Sequence, residues 1–387
     1  MKVTQVKELL TTVTAEILGE SVVVNEDLSN VVEVGEQIIN AQNGLDNYVR
    51  SLVDHIGRVV FVDRVYSGRV PSVVRDAWEY GAVLEKISMK MPDAEENESW
   101  ELTDGTSYDP NIFHAPTISA KFWNKRITFE IPMSITEKQV KSAFSNAVQL
   151  NAFYSLIQST IEKAMTVKID ALVMRTINGM IADTIYNEFP SGTYSGTSGV
   201  RAVNLLALYN QQFTPTTPLT AAQAIYNPEF IRFASLTMAN YIDRMSVIST
   251  LFNTEGAERF TPRDLLHVVM LADFKNAAAA YLQSDTFHDN YVALPNAETV
   301  PYWQGSGIDY GFSDVTAINV VSPQGHNVNV SGVLAVMFDR DALGVSNLDR
   351  RTTTNYNAKA EFWNEFHKAD MGAWVDPAEN GVVFFVA

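Results

Sequence analysis

The sequence predicts an α+β fold, and three observations carry the prediction. Residues 134–187 keep a helical spacing of apolar positions almost without pause. Short runs rich in β-branched and aromatic residues stand on either side of that stretch, divided by turn-forming residues. The run GVVFFVA at 381–387 is apolar enough to require a buried sheet. With 387 residues, 46% hydrophobic and 19% charged, the chain holds ample core material for about two domains and lies far from disordered composition.

From the N-terminus, Val6, Leu9, Leu10, Val13 and Ile17 form one helical stripe, and Leu45, Tyr48, Val49, Leu52, Val53 and Ile56 form another that ends at Gly57. The intervening segment with Val32, Val34 and Ile38 is broken by Gly35 and is only weakly helical. RVVFVDRVY at 58–66 reads as a strand. From 67 to about 130 the β-prone runs AVLEKISMKM and RITFEIPM flank polar stretches, which predicts a hairpin. Its tip, between Pro92 and Gly105, carries Asp93, Glu95, Glu96, Glu98, Glu101 and Asp104 without a basic residue. Such a charge run also suits a plain solvated loop.

Ser134 and Glu137 have the spacing of a capping box, in which hydroxyl and carboxylate satisfy each other's free amides at a helix start. The helix expected beyond it shows Phe153, Ile157, Ile161, Met165, Ile169, Leu172, Ile177 and Met180 on a broad apolar face. Either a single helix of roughly 35 residues, ~50 Å long, or two stacked helices broken near Thr166–Lys168 fits the pattern. The Gly- and Ser-rich loop at 189–199 separates it from a mixed region at 200–332. There NLLALYNQQF, PEFIRFASLTMANYIDRM and PRDLLHVVMLADFKNAAAAYL carry helical patterns, and Asn227-Pro228 and Thr261-Pro262 look like helix starts. DVTAINVVSP, GVLAVMFDRDALGVS and GVVFFVA read as strands, with Tyr356, Phe362, Trp363, Phe366 and Trp374 between the last two.

Composition narrows the chemistry. Without cysteine there is no disulfide, thiolate nucleophile or cysteine-bound metal. The histidines at 55, 114, 267, 288, 326 and 367 lack the close spacing of a metal motif. A formal charge of -17 opposes binding to a phosphate backbone and keeps the protein soluble, so sequence-specific nucleic-acid binding is not expected. Neither a secretory signal nor an apolar stretch of about 18 residues is visible, which predicts a cytoplasmic protein without membrane association. The glycines at 305, 307 and 311 lack the spacing and flanking elements of a dinucleotide loop, and neither a Walker loop nor a G-x-S-x-G elbow occurs. Asp339 and Asp341 flank Arg340 and suit a salt-bridged strand end better than a cation site. Glu361, Glu365 and His367 offer a single histidine and read as a solvated edge beside buried aromatics. The sequence therefore predicts no catalytic, cofactor or metal residues.

The order of parts is a short arm, a helix and strand, a long acidic-tipped hairpin, a long helix, a mixed domain, and a return. It resembles the major capsid proteins of tailed bacteriophages, with the Hong Kong 97-like shell fold. KFWNKRITFEIPMSITEKQVKSAFSN at 121–146 is similar to the strand that leaves that family's extended loop. VSGVLAVMFDRDALGVSNLDRRTTTNYNAKAEFWNEFHKADMGAWVDPAENGVVFFVA, from Val330 on, is similar to its closing passage, with Asp339, Asp376 and Asn380 in the turns. The resemblance implies an N-terminal arm with first helices at 1–57 and a strand plus extended loop at 58–130. A peripheral domain with spine helix follows at 131–199, then an axial domain at 200–332 and a return to the peripheral domain at 333–387.

It further implies a structural subunit of the virion, assembled in the host cytoplasm. Copies would join in hexamers and pentamers into an icosahedral-type shell around double-stranded DNA, with a portal as partner. Only some 45 residues precede the first strong helix–strand unit, so scaffolding is expected from a separate protein. Lys86 and Lys90 do not match the family's crosslinking motif. The acidic tip (Glu95, Glu96, Glu98) is expected to meet Lys121, Lys125, Arg126, Lys138 and Lys141 of an adjacent subunit. An encapsulin-like compartment and a cytosolic α+β hydrolase are the alternatives.

Overall fold

The structure, a computed structural model, describes residues 11, 69–75, 84–94, 96, 98–108, 111, 113–139, 147–284, 297–304 and 315–387. Both N-terminal helical stripes, the segment around Gly35, the strand expected at 58–66 and the glycines at 305, 307 and 311 lie outside the described residues. In chain order the first strands are β1 (Val74–Arg75), β2 (Leu84–Met89), β3 (Ile118–Trp123) and β4 (Arg126–Thr136). Helix α1 (Ala147–Glu188), β5 (Ala202–Asn204), α2 (Leu205–Phe213), α3 (Ala221–Ala224) and α4 (Pro228–Met245) follow. Next come β6 (Leu266–Leu271), α5 (Ala272–Ser284), β7 (Ala297–Val300), β8 (Ile318–Val321) and β9 (Asn327–Val330). The chain closes with β10 (Val333–Asp339), β11 (Leu343–Asn357), β12 (Phe362–Val375) and β13 (Gly381–Phe385).

These elements form two compact units. One draws on Arg126–Met174 and Val345–Ala373 with described residues before Glu79, the other on Tyr80–Lys125, Arg175–Gly344 and Trp374–Ala387.

The first unit holds a four-stranded sheet in the order β1-β11-β12-β4. RITFEIPM was expected in the hairpin with AVLEKISMKM, but it lies here. Strand β4 pairs antiparallel with β12 from Arg126↔Gly372 to Thr136↔Phe362. The reason is alternation: Ile127, Phe129, Ile131, Met133 and Ile135 share one face with Trp363, Ala369 and Met371, so the apolar positions of both strands coincide. The capping box also moves. Ser134 stays in β4, its hydroxyl donating to Asn364 at 2.7 Å, while Thr136 and Gln139 form the reciprocal pair (Gln139 N–H to Thr136 Oγ1, 3.3 Å; Thr136 N–H to Gln139 Oε1, 2.9 Å).

Helix α1 runs for 42 residues and passes Thr166–Lys168 without a break. At 1.5 Å per residue that is about 63 Å. Before Leu172 it buries one stripe (Ile157, Ile161, Met165, Ile169); from Leu172 to Ile185 most of its circumference is buried.

The second unit is built on a five-stranded sheet in the order β5-β13-β10-β6-β7. Strands β10 and β13 are buried at every position, which explains why they read as unbroken apolar runs and not as alternating ones. Strands β10 and β13, from the stretch 333–387 that the resemblance assigns to a return to the peripheral domain, pair here with β6 and β5. Asn227 caps α4 as expected, its side chain accepting from the N–H groups of Glu229 and Phe230, with Pro228 in the first turn.

Thr261-Pro262 does not start a helix. A turn closed by the Leu265 N–H to the Pro262 carbonyl leads into β6, because LHVVML is the apolar run that fits the sheet centre beside β10. Only after Leu271 does helix α5 begin. Gly332, in the turn between β9 and β10, has φ +85°, and any Cβ there would run into the Val386 carbonyl.

Candidate assembly surface

Strands β2 and β3 form a separate two-stranded hairpin within the second unit, paired from Leu84↔Trp123 to Met89↔Ile118. In such a ladder, directly opposite residues share a face. One face therefore holds Leu84, Lys86 and Ser88 opposite Trp123, Lys121 and Ser119. The other holds Glu85, Ile87 and Met89 opposite Phe122, Ala120 and Ile118. Sheets ordinarily turn apolar residues to their own core and polar ones to water. Here the order is inverted: Ile87, Met89, Ile118 and Phe122 are all exposed, Phe122 by 61%, while the lysines face the body of the unit.

The tip continues the theme. Trp100 is 96% exposed, and Leu102, Tyr108 and Phe113 are also exposed beside the acids. So many large apolar side chains exposed on one hairpin suit an interaction site.

The polar face is anchored. Lys86 Nζ donates to Asp376 Oδ2 and to Glu379 Oε1, both at 2.7 Å. Lys121 Nζ donates to Asp376 Oδ1 at 2.8 Å and to Glu255 at 2.7 Å. Glu379 also accepts from Arg259 Nε at 3.1 Å. The Asp376 side chain is 1% exposed. Burial alone would raise its pKa, but hydrogen bonds from Lys121, Lys86 and the Ala378 N–H, with the Lys86 charge, outweigh that and hold it below the usual carboxylate range. For Lys121, burial lowers and the bonds to Asp376 and Glu255 raise, leaving a net rise. Trp123 meets Trp374 at the same place, ring centroids 5.8 Å apart.

The residues expected at a subunit contact are spread over both units. Glu95 and Lys141 lie outside the described residues, and for Glu98 only its short helical turn, Glu98–Trp100, is described. Glu96, Lys125, Arg126 and Lys138 are exposed. Lys121 alone among them is engaged in the root network of its own chain. Sequence reasoning missed Lys86, Asp376, Glu379, Glu255 and Arg259 as a group. Lys86 and Lys121 lie 255 to 293 residues from the carboxylates at 376 and 379, so no local spacing betrays the cluster.

The other acidic candidates are structural. Asp339 is buried at the end of β10, accepting from Thr261 Oγ1 at 2.7 Å and the Asp341 N–H at 2.8 Å, so it braces a turn. Glu365 and His367 are not a solvated edge; both are 1% exposed, 3.2 Å apart, with Thr352 Oγ1 3.1 Å from the second ring nitrogen. The sequence reading failed there because in a strand 363, 365 and 367 all turn to the face that Trp363 buries. Among the described residues no group of three or more His, Asp or Glu is placed to hold a metal, and no helix is long and apolar enough to cross a membrane.

The family model for the Phi29-like phage major capsid protein matches residues 9–385. No curated protein sequence matches the chain. Among solved structures, the capsid structure of Staphylococcus phage Andhra is similar at 10% identity and a TM-score of 0.50, covering 84% of this chain and 86% of that one. A chain in the structure of the head fiber and inner core protein gp22 of native bacteriophage P68 has the same identity and coverage and a TM-score of 0.49. The capsid structure of the cyanophage P-SCSP1u follows at 11% identity and 0.46, covering 81% of this chain and 86% of that one.

Proposed function

The chain belongs to the Phi29-like phage major capsid protein family, a structural component of the tailed-phage head shell and not an enzyme, and we propose that its hairpin is the link by which each copy grips the next. The encapsulin-like and hydrolase alternatives are set aside by that membership. The observation that carries the proposal is the inverted hairpin, with lysines turned to its own subunit and Ile87, Met89, Ile118 and Phe122 turned away. Two strands of six residues are marginal alone in water, so an outward apolar face calls for a surface on another copy.

In this reading β2, β3 and their tip are the extended loop of the shell fold. The first unit corresponds to its peripheral domain, the second to its axial domain, and 1–57 to the arm. A single chain type closes a shell by repeating heterologous contacts that form rings, here hexamers and pentamers, each contact burying more than ~2,000 Å². A separate scaffolding protein and a portal complete the assembly partners. The test is hydroxyl-radical footprinting of the purified chain before and after assembly. Met89, Trp100 and Phe122 label readily in the free chain and become protected in shells; equal labelling in both would discard the hairpin as the link.

The exposed acid Glu96, with Glu95 and Glu98 of the same run, gives the tip a sign, and Lys125, Arg126, Lys138 and Lys141 are the basic residues that an adjacent copy offers it. Exposed pairs contribute only about 0–1 kcal/mol each, so they set register more than strength. Reversing Glu95, Glu96 and Glu98 to lysine is expected to yield misassembled particles by electron microscopy. Normal particles from that variant would remove the charge contact and leave the apolar one standing.

A further inference from the structure

Building on the hairpin as the intersubunit link, we infer that Asp376 is a positioning residue for assembly: by joining Lys86 and Lys121 it fixes the direction in which the hairpin leaves its own subunit. Those lysines are a directly opposite cross-strand pair. Like charges placed so are destabilising, and among the described residues no side chain of the hairpin bonds to either lysine. Asp376 does, giving one carboxylate oxygen to each lysine.

The anchor is itself fixed. Asp376 Oδ1 also accepts the Ala378 N–H at 3.0 Å, and its backbone N–H donates to the Ala342 carbonyl at 2.6 Å. Glu255, Glu379 and Arg259 complete a set of three acids and three bases, and the Asp341 carbonyl accepts weakly from Lys86 at 3.4 Å. Among the described residues, the side chains of β2 and β3 hydrogen-bond to other elements through these two lysines, aided by the Trp123–Trp374 contact.

The cluster is a permanent positioner and not a neutral-pH switch. A carboxylate with a lowered pKa contributes fully above its ordinary value of 3.8 and loses its contribution only as pH falls through the lower folded value. Lys121, with a raised pKa, contributes fully below 10.5 and loses it only above that. Between those limits Asp376 and Lys121 are charged and joined. Direction matters because a heterologous contact closes a ring only when its rotation is right; a hairpin free to swing would still bind neighbours but would build open or uneven sheets. Asp376 therefore bears on closure separately from attraction.

Asp376→Asn tests this: the amide oxygen can still accept the Ala378 N–H and Lys121, while the charge is lost and an NH2 donor replaces the oxygen that accepted from Lys86. In the unassembled full chain, amide exchange in 84–89 and 118–123 is expected to quicken by at least about tenfold, as breaking a buried pair from one side implies. The strands at 266–271, 333–339 and 381–385 keep their protection. Particles of this variant are open or of uneven diameter. Adding Lys121→Met to Asp376→Asn removes the cross-strand repulsion and leaves Lys86 on Glu379, so hairpin protection is expected to recover in part while particles stay uneven; a merely space-filling residue would show no recovery. If Asp376→Asn fails to fold, the double variant Lys86→Met with Lys121→Met, confined to the hairpin, is expected to quicken exchange there in the same way. Unchanged hairpin exchange in the folded variant, or uniform shells of wild-type diameter, overturns the assignment. The exchange measurement needs no shell, so failure of the wild-type hairpin to become protected on assembly would instead strike the reading of the hairpin as the link.

Discussion

Replacing Ile87 and Phe122 with aspartate is expected to abolish shell formation while leaving the subunit folded. Both side chains lie on the outward face of the hairpin, at 66% and 61% exposure, so the free chain loses little by the change. Substitutions at such positions usually alter stability by no more than about 0.5 kcal/mol. At a covered interface the balance differs. Each lost side chain forfeits about 1.5–3 kcal/mol of apolar burial. Each new carboxylate must also be desolvated without a partner, which costs several kcal/mol more. Even the first contribution alone, about 3 kcal/mol per contact, weakens each one by roughly a hundredfold, and a closed shell repeats it at every subunit. Sedimentation and negative-stain microscopy read the outcome, with circular dichroism and a melting curve as the folding control. A folded double variant that still forms normal shells would show that this face is not buried by a neighbour.

The elements whose signal is local were legible in the sequence. Helix α1 shows its stripe from Ile157 to Met180 because one face stays apolar over many turns. Asn227-Pro228 starts α4 because cap and first-turn chemistry act within three residues. The buried run of β13 needs no partner to be recognised. What escaped depends on pairing across the chain. RITFEIPM is as good a hairpin strand as Ile118–Trp123 until the pairing of β4 with β12 is known. Thr261-Pro262 looks like a helix start until its hydroxyl is seen on Asp339 and the following LHVVML in the sheet centre. At the assembly surface, the acids of the tip drew attention because charge runs are visible in any sequence. The more telling feature, apolar residues facing out over lysines facing in, needs the register Lys86↔Lys121 before it can be read at all.

Trp303→Ala is expected to cost the free subunit most of its stability and an assembled subunit a smaller share of its own. The indole is fully buried in the second unit. Its Nε1–H donates to the Val333 carbonyl at 2.8 Å, and its own backbone carbonyl accepts Asn178 Nδ2 at 2.8 Å. Truncation leaves a cavity costing about 3–5 kcal/mol. The Val333 carbonyl, at the start of β10, also loses its indole donor; a buried group left unsatisfied costs about 1–3 kcal/mol. Against a typical total of roughly 5–15 kcal/mol, that sum brings a domain to the edge of unfolding. Denaturant titration of the unassembled variant should therefore show a much lower midpoint at an unchanged slope. Assembly acts on the same equilibrium, because contacts made only by the folded subunit stabilise it by mass action. Wild type and variant should accordingly both melt higher in closed particles than as free subunits, with the difference between them kept. Melting temperatures that do not rise on assembly would mean that neighbours add nothing to the folded subunit. That result could not be reconciled with a hairpin whose outer face is completed by another copy.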